Sequence, residues 1–386
     1  MNILVVHNTY QQKGGEDSVV EEELNLLRSR GHEVELFQRH NDSIHRMSRL
    51  KTAVQTVWST QASREFETLL QSLKPDVVHA HNTFALVSPS IYWVADRMHI
   101  PVVQTLHNFR LLCPQATFLR RGAVCEDCLG KVPWRGAIRG CYRDSKLQST
   151  VLAGMVTLHR AIGTWENKVT RYIALNDFCR EKFIEGGLPA ERILIKPNFV
   201  DFEAPVARSR AGFLFVGRLS SEKGVNVLVD AAKICGTSTI RVAGSGPQAS
   251  VLANVAGVTP LGALSGDSIR AEMSQAVALI LPSIWYECFP RTLVEAFASN
   301  LPVIASRLGS LPELVNDGVT GILFDPGNAN DLAQKLDWAL QHPLEMAKMG
   351  RNARARYEAE FTAERNYQQL MAIYADAIQA VKSDTA

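Results

Sequence analysis

The stretch 282–302, PSIWYECFPRTLVEAFASNLP, is the most informative segment of this chain. The apolar run VALILP leads into it and is typical of a buried strand. RTLVEAFA, which follows Pro290, is helix-forming sequence with an apolar stripe. Because proline is best tolerated at or near the first position of a helix, the stretch predicts a strand, a tight loop and a helix start. Such a junction directs backbone N–H groups and the positive end of a helix dipole at one point, which favours a phosphate.

Two glutamates flank this predicted helix start. Glu287 lies in the loop and Glu295 lies about one and a half turns inside the helix, so their carboxylates can reach different hydroxyls of one elongated ligand. The alternative is a solvated loop glutamate and a helix-surface glutamate, since charged residues are mostly exposed. The spacing therefore predicts a ligand site and leaves that alternative open.

The rest of the chain repeats the same alternation of short apolar runs and helical patterns. Runs such as ILVVH, DVVHAHN and PVVQTLH in the first half, and FLFVGR, TIRVAG and PVIAS in the second, indicate parallel strands joined by crossover helices. Periodicity is lost over 196–212, where we place a domain boundary. A chain of 386 residues that is 46% hydrophobic is sufficient for two cores. The sequence predicts an α/β protein with two domains, 1–200 and 201–361.

Charge and hydropathy exclude several classes of protein. The 41 basic and 39 acidic side chains leave a net charge of +2, which gives no electrostatic case for a nucleic-acid binder. The N-terminus MNILVV has no basic lead and no long apolar core, so we interpret it as a first strand and not a signal peptide. The sequence contains no run of about 18 apolar residues, which a membrane-spanning helix would need. We therefore expect a cytoplasmic protein.

Polar residues follow the predicted strands of the first half, where ligands of parallel sheets bind. His107, beside Asn108, comes directly after PVVQTL, and Gly14 and Gly15 lie between the first strand and a helix opened by acidic residues. Glycines in such a loop let the backbone approach a ligand closely. A buried structural histidine and an ordinary turn are the alternatives.

The anion chemistry of the second half is clearest at Arg218 and Lys223, which lie in the loop after FLFVG, next to Gly217 and Gly224. A guanidinium fork and an ammonium point charge can converge on a diphosphate, although an exposed basic turn has the same pattern. VAGSGP at 242–247, with Gly244, suits a turn that passes close to a nucleobase. The chain has no D-x-D acid pair, which argues against a metal-bridged diphosphate site.

The segment 108–146 breaks the alternation and is interpreted as an insertion. It contains four of the seven cysteines, Cys113, Cys125, Cys128 and Cys141. In a cytoplasmic chain, disulfides are disfavoured, and either a tetrahedral structural zinc site or free thiols would account for them. Seven basic residues after Arg110, together with Trp134, indicate contact with an anionic membrane surface or a lipid-linked acceptor, and a solvated basic loop is the alternative.

Together these motifs resemble the retaining glycosyltransferases of family four, which have the GT-B fold. The similarity spans nearly the whole chain. It comprises the Glu-x7-Glu pair Glu287 and Glu295, KGGEDS at 13–18, LHN at 106–108, KPNFVD at 196–201, VGRLSSEKGV at 216–225 and LPELVNDGVTGILFDPGN at 311–328. The sequence departs from the family at Cys288, where glycine is usual, which leaves the shape of the sugar pocket open.

The resemblance implies two Rossmann-like doubly wound domains that face each other across a cleft. The C-terminal helix 362–386 would pack back on the first domain. The resemblance also places His107 beside the transferred sugar, and it assigns catalysis to His107, Arg218, Lys223 and Glu287. Its donor-binding residues would be Gly15, Gly217, Gly244, Phe289, Pro290, Arg291, Thr292 and Glu295.

The expected activity is the transfer of a sugar, with retention, from a nucleotide-diphosphate-sugar donor to an acceptor hydroxyl. The enzyme would be a hexosyltransferase-type glycosyltransferase that requires no metal or other cofactor for catalysis. It would act in bacterial cell-surface polysaccharide or glycolipid assembly, on a saccharide or lipid-linked acceptor, peripherally at the inner face of the membrane. A nucleotide-sugar epimerase of the same fold and a catalytically silent sugar-binding subunit are the alternatives. The donor base and sugar stay open.

Overall fold

Two six-stranded parallel sheets form the framework of the protein in a computed structural model, which describes residues 1–11, 14–201, 209–236 and 239–385. The chain divides into two compact units. Unit 1 comprises 1–118, 126–198 and the chain from Asn366 onward, and unit 2 comprises 119–125 and 199–365. Lys13 of the glycine motif and 202–208 of the predicted linker lie outside the described residues.

The sheet of unit 1 has the strand order β2-β1-β3-β4-β7-β8, and all of its pairs are parallel. A separate two-stranded antiparallel hairpin, β5-β6, lies within the predicted insertion, in the part that belongs to unit 2. The first eight strands are β1 Asn2–Thr9, β2 Glu33–His40, β3 Val77–Asn82, β4 Val102–Thr105, β5 Leu119–Arg120, β6 Ala123–Val124, β7 Arg171–Ala174 and β8 Ile193–Ile195.

The sheet of unit 2 has the order β11-β10-β9-β12-β13-β14 and is also parallel. Its strands are β9 Phe213–Val216, β10 Ile240–Ala243, β11 Val258–Gly262, β12 Ala278–Leu281, β13 Val303–Ser306 and β14 Gly321–Phe324. Its central strands are buried apolar runs without alternation, as expected for strands covered on both faces. These two sheets confirm the predicted pair of doubly wound α/β domains.

Helices connect the strands in both units. In chain order they are α1 Gly15–Ser29, α2 Arg49–Val57, α3 Thr60–Leu73, α4 Ser90–Arg97, α5 Trp134–Arg139, α6 Lys146–Ala161, α7 Thr164–Asn167, α8 Asp177–Glu185, α9 Val225–Cys235, α10 Gly266–Gln275, α11 Arg291–Ala298, α12 Leu311–Leu314, α13 Ala329–Gln341, α14 Pro343–Glu360 and α15 Ala363–Thr385. Short 3-10 turns cover Asn41–Arg46, Ala190–Arg192, Ser221–Lys223 and Ala249–Leu252.

The last helix, α15, completes the core of unit 1. Leu370, Ile373 and Tyr374 pack in one buried cluster with residues of β1 and β3 such as Ile3 and Val77. Within unit 1, the C-terminal helix α15 therefore packs on the sheet that contains the N-terminal strand β1.

Candidate active site

The strand order of unit 2 places a topological switch point between β9 and β12. The chain leaves β9 toward β10 on one side and reaches β12 on the other, and ligands of open parallel sheets bind at such a point. The loop that carries Arg218 and Lys223 follows β9, and the loop 282–290 follows β12. The two segments that the sequence singled out for anion binding therefore begin at neighbouring strand ends.

Close backbone packing joins these loops. Gly224 has φ +73°, and a Cβ there would lie 1.8 Å from the carbonyl oxygen of Pro282, so only glycine fits. The amide of Ile284 donates to the carbonyl oxygen of Glu222 at 3.0 Å. Gly244 is similarly constrained, because a Cβ there would lie 1.9 Å from the carbonyl oxygen of Gly217.

Lys223 and Glu287 form an ion pair at the centre of this arrangement. The Lys223 Nζ lies 2.7 Å from Glu287 Oε1, which also accepts a hydrogen bond of 2.6 Å from Ser283 Oγ. Burial alone would raise the pKa of Glu287, but Lys223 and the hydrogen-bond donors around the carboxylate lower it. Glu287 is only 5% exposed, so it is a buried charged partner and not the solvated loop residue of the alternative interpretation.

The neighbouring charges differ in their environment. Arg218 is exposed, and its guanidinium has no hydrogen-bond or ion-pair partner within the described part of the chain. Glu295 accepts a hydrogen bond from Arg291 Nε at 2.9 Å, one turn apart on α11. Arg218 is thus available to an incoming anion.

The start of α11 is built as the sequence predicts. Pro290 has φ −71° and ψ 110° and directly precedes the helix, whose first residues are Arg291 and Thr292. Phe289 is buried and packs against Phe361, with ring centroids 5.8 Å apart. This contact anchors the loop that carries Glu287.

In unit 1 the corresponding switch point lies between β1 and β3. Gly15 opens α1 after β1, and His107 follows β4. The His107 Nε2 lies 2.9 Å from Nδ1 of His81, and the two rings stack with centroids 5.2 Å apart. The structure therefore places His107, the histidine predicted from the sequence, in contact with His81 near the end of β3.

Behind His81 lies a buried charged cluster that the sequence analysis did not identify. Glu23, from α1, contacts His81 Nε2 at 3.1 Å, His79 Nδ1 at 2.9 Å and Lys196 Nζ at 3.1 Å. Glu23, His79 and Lys196 are each at most 2% exposed. The sequence offered a glutamate on the largely apolar buried face of α1 and two histidines in the strand pattern DVVHAHN, but nothing that indicated their contact, because these residues are remote in sequence.

This cluster also has the residue types and the spacing of a metal site. Glu23, His79 and His81 each offer one ligand atom, and these three atoms lie within 4.8 Å of one another. Lys196 does not fit that role. Its ammonium already contacts the carboxylate, and a dication beside it would face a buried like charge. The lysine supplies the positive charge that a metal would otherwise provide.

A further carboxylate, Glu16, lies near the strand ends of unit 1. Tyr10 Oη and Asn108 Nδ2 donate to its Oε2 at 3.1 and 3.3 Å. Burial is the main reason that its pKa is raised to about 7. The sequence indicated an acidic helix start here, but not the contact with Asn108.

The four cysteines of the insertion are not in disulfides. Cys113 and Cys128 are buried, whereas Cys125 and Cys141 are half-buried. Zinc binding at these residues stays a prediction. Within the described ranges, no helix is both long and apolar enough to cross a membrane.

The two doubly wound sheets, with charged loops at the switch point of unit 2, define a protein of the GT-B class. Two solved structures share the fold: sucrose-phosphate synthase from Thermosynechococcus elongatus, with a TM-score of 0.72, 19% identity and coverage of 98% of this chain and 99% of that chain; and Alr3699/HepE from Anabaena in complex with UDP, with a TM-score of 0.69, 18% identity and coverage of 97% and 100%.

The family models agree with this class. "Glycosyltransferase Family 4" matches residues 13–204, and "Glycosyl transferases group 1" matches residues 201–356. The chain belongs to the family 4, group 1 glycosyltransferases.

Several named relatives are similar over part of the chain. A D-rhamnosyltransferase, WbpZ, from Pseudomonas aeruginosa is 34% identical over 39% of this chain and 42% of its own length. The glycogen synthase of Mycobacterium tuberculosis is 27% identical over 75% of this chain and 66% of its own length. The α-D-kanosaminyltransferase of Streptomyces kanamyceticus is 26% identical over 77% and 76%. The chain thus spans less than two thirds of the first two relatives.

Proposed function

We propose that this protein is a retaining glycosyltransferase that moves a hexose from a nucleotide-diphosphate sugar to an acceptor hydroxyl. The observation that carries the proposal is the switch point of unit 2, where exposed Arg218 and the Lys223–Glu287 pair accompany the start of α11. Cations and backbone N–H groups at one strand end suit a diphosphate. The bound UDP of Alr3699/HepE supports a nucleotide donor by analogy.

The roles of the side chains follow from their surroundings. Arg218 and Lys223 neutralise the charge that develops on the departing diphosphate, which is where binding energy raises the rate. Glu295 binds the ribose hydroxyls, and Glu287 binds a sugar hydroxyl while it orients Lys223. Neutralisation by these cations, together with the lack of any D-x-D pair in the sequence, supports transfer that requires no metal.

We favour front-face attack for the retaining step. The acceptor hydroxyl attacks the anomeric carbon on the side that the diphosphate leaves, and the departing phosphate oxygen takes the hydroxyl proton. The bond from the sugar to phosphate breaks as the bond to the acceptor oxygen forms. No side chain among the predicted donor-site residues is assigned as a covalent nucleophile.

Binding of the free nucleoside diphosphate tests the proposal without an acceptor. In a thermal-shift panel of UDP, GDP and dTDP, we expect one diphosphate to raise Tm by several degrees, because a ligand of the folded state stabilises it. The rise should be smaller for Arg218→Ala. If no diphosphate raises Tm at millimolar concentration, the donor assignment is contradicted.

We further propose that unit 1 docks on an anionic membrane surface during the assembly of cell-surface polysaccharide or glycolipid. The neighbouring helices α2, α5 and α6 carry exposed apolar side chains: Leu50, Val54, Trp134, Ile138 and Leu147 are 54–76% exposed. Exposed basic residues, among them Lys51, Arg143 and Lys146, lie on or beside the same helices. Apolar side chains among cations are typical of interfacial helices.

Exchange of Trp134 and Ile138 for glutamate should reduce membrane binding. We expect the wild type to float with vesicles that contain anionic lipid, and the double variant to bind at least about tenfold more weakly, because it loses buried apolar area and gains negative charge. The exposed Leu344→Glu variant in unit 2 is the matched control and should bind normally. Equal flotation of all three proteins, or no flotation of the wild type, would exclude this docking surface.

The cysteine prediction has its own test. If Cys113, Cys125, Cys128 and Cys141 hold one structural zinc, protein purified under reducing conditions without chelator should contain about one equivalent of metal, and Cys128→Ser should lose it. Cys235→Ser, which changes a thiol on α9, should retain it. Four thiolates leave no open coordination position, so the metal would stabilise 110–145 and would not take part in transfer. Metal-free wild type would refute the prediction.

A further inference from the structure

The buried cluster behind His107 forms a chain of three side chains. His107 Nε2 lies 2.9 Å from His81 Nδ1, and His81 Nε2 lies 3.1 Å from Glu23 Oε1. The second contact lacks hydrogen-bond geometry, and His81 Nε2 has no hydrogen-bond partner among the described residues, so Glu23 Oε1 is the polar atom that it faces. The chain therefore runs from a buried carboxylate to a half-buried imidazole at the strand ends.

Glu23 is the ionised end of this chain. Burial alone would raise its pKa, but Lys196, His79 and His81 together hold the pKa well below the ordinary value. Lys196 contacts Oε2 at 3.1 Å, so Oε1 is left to face the two imidazoles. An ionised carboxylate can only accept hydrogen bonds.

The direction of the remaining bonds follows from that anchor. Burial lowers the pKa of His81 to about 3, and burial and His81 lower the pKa of His107 well below its ordinary value, so both rings are neutral. A neutral imidazole has one donor and one acceptor nitrogen. Because His81 Nε2 faces an ionised carboxylate, we expect it to carry the proton of that ring, so that His81 Nδ1 accepts and His107 Nε2 donates. His107 Nδ1 is then an unprotonated acceptor.

We propose that Glu23 and His81 are positioning residues that hold His107 as its Nε2–H tautomer, so that His107 Nδ1 accepts a hydrogen bond from a substrate hydroxyl. This inference rests on the proposed transferase function, whose sugar and acceptor both carry hydroxyls. His107 lines a pocket of about 40 Å³ with Asn108 and Arg110, which has room for a hydroxyl group. Its Nδ1 has no hydrogen-bond partner among the residues described.

The tautomer can be observed directly. In protein labelled with ¹⁵N-histidine, long-range ¹H–¹⁵N spectra distinguish protonated from unprotonated ring nitrogens, and His107→Gln and His81→Gln assign the signals. We expect both rings in the wild type to carry the proton on Nε2. A wild-type His107 with its proton on Nδ1 would overturn the inference, whether or not a substrate is known.

Glu23→Gln should reverse the direction of the hydrogen bonds that link residue 23, His81 and His107. The carbonyl oxygen of the new glutamine faces Lys196, so its amide group donates a hydrogen bond to His81 Nε2. His81 then carries its proton on Nδ1 and donates to His107 Nε2. As a result, His107 carries its proton on Nδ1. We expect kcat to fall about ten- to hundredfold with little change in donor KM, because the hydroxyl loses its acceptor. Glu21→Gln, an isosteric change at an exposed position of α1, should leave both spectrum and activity unaltered.

The outcomes separate this inference from the proposed function. A folded Glu23→Gln variant with an unchanged His107 tautomer, or one with the reversed tautomer and wild-type kcat, would contradict the positioning role. A wild type that turns over no nucleotide sugar would contradict the proposed function. In that case the tautomers of the wild type and of Glu23→Gln would still decide whether Glu23 and His81 set the tautomer of His107.

Discussion

Arg218→Ala is expected to lower kcat by about two to three orders of magnitude, on the scale of losing one group that stabilises transition-state charge. Arg218 is exposed and has no partner among the described residues, so its removal should leave Tm unchanged in the absence of ligand. Single-turnover rates with saturating donor measure the chemical step. Lys233→Ala, an exposed lysine on α9, is the matched control and should retain full activity.

Lys223→Ala should cause a loss of similar size and should also lower Tm. Lys223 is the ion-pair partner of buried Glu287, and its removal leaves an uncompensated carboxylate. The double variant Lys223→Ala/Glu287→Gln should recover Tm without recovering turnover. Nearly normal turnover in both Arg218→Ala and Lys223→Ala would remove the diphosphate assignment.

Glu287 and Glu295 should differ in the step that they affect. Glu295→Ala is expected to weaken binding of the free nucleoside diphosphate by about tenfold or more, since it removes a charged hydrogen-bond acceptor for the ribose. Glu287→Ala should leave that affinity within about threefold while kcat falls about a hundredfold, because the carboxylate contacts the sugar and orients Lys223. Calorimetric titration and single-turnover kinetics measure the two quantities.

Glu287→Gln serves as the comparison for this pair. It preserves the shape of the side chain and an acceptor for Ser283, but removes the charge that faces Lys223. We expect its kcat to lie between those of the wild type and Glu287→Ala. Equal losses of diphosphate affinity in Glu287→Ala and Glu295→Ala would contradict the division of roles.

Much of the fold could be predicted because its signals are local. The apolar run before Pro282 and the stripe after Pro290 each specify their own element, and the structure has β12 and α11 at those positions. The repeated alternation then predicts two parallel sheets. Strand order depends on which crossovers form, and the sequence patterns do not encode that directly.

The site could be predicted in part for the same reason. Residues on strand-end loops, such as Arg218 and His107, are recognisable from their place after an apolar run. Ion pairs between distant segments are not: Lys223 and Glu287 are 64 residues apart, and Lys196 and Glu23 are 173 apart. Each pair exists because the sheet brings separate segments together, so its members appear in the sequence as unrelated charges.

The transferase assignment is tested most directly by incubation of the purified protein with a panel of UDP-, GDP- and dTDP-sugars in the absence of an acceptor. A transferase should release the nucleoside diphosphate slowly from one donor, as water replaces the acceptor, and Arg218→Ala should slow that release by about two to three orders of magnitude. Recovery of an epimerised donor would support an epimerase, and binding without turnover would support a silent sugar-binding subunit. Either result would contradict the assignment of this protein as a transferase.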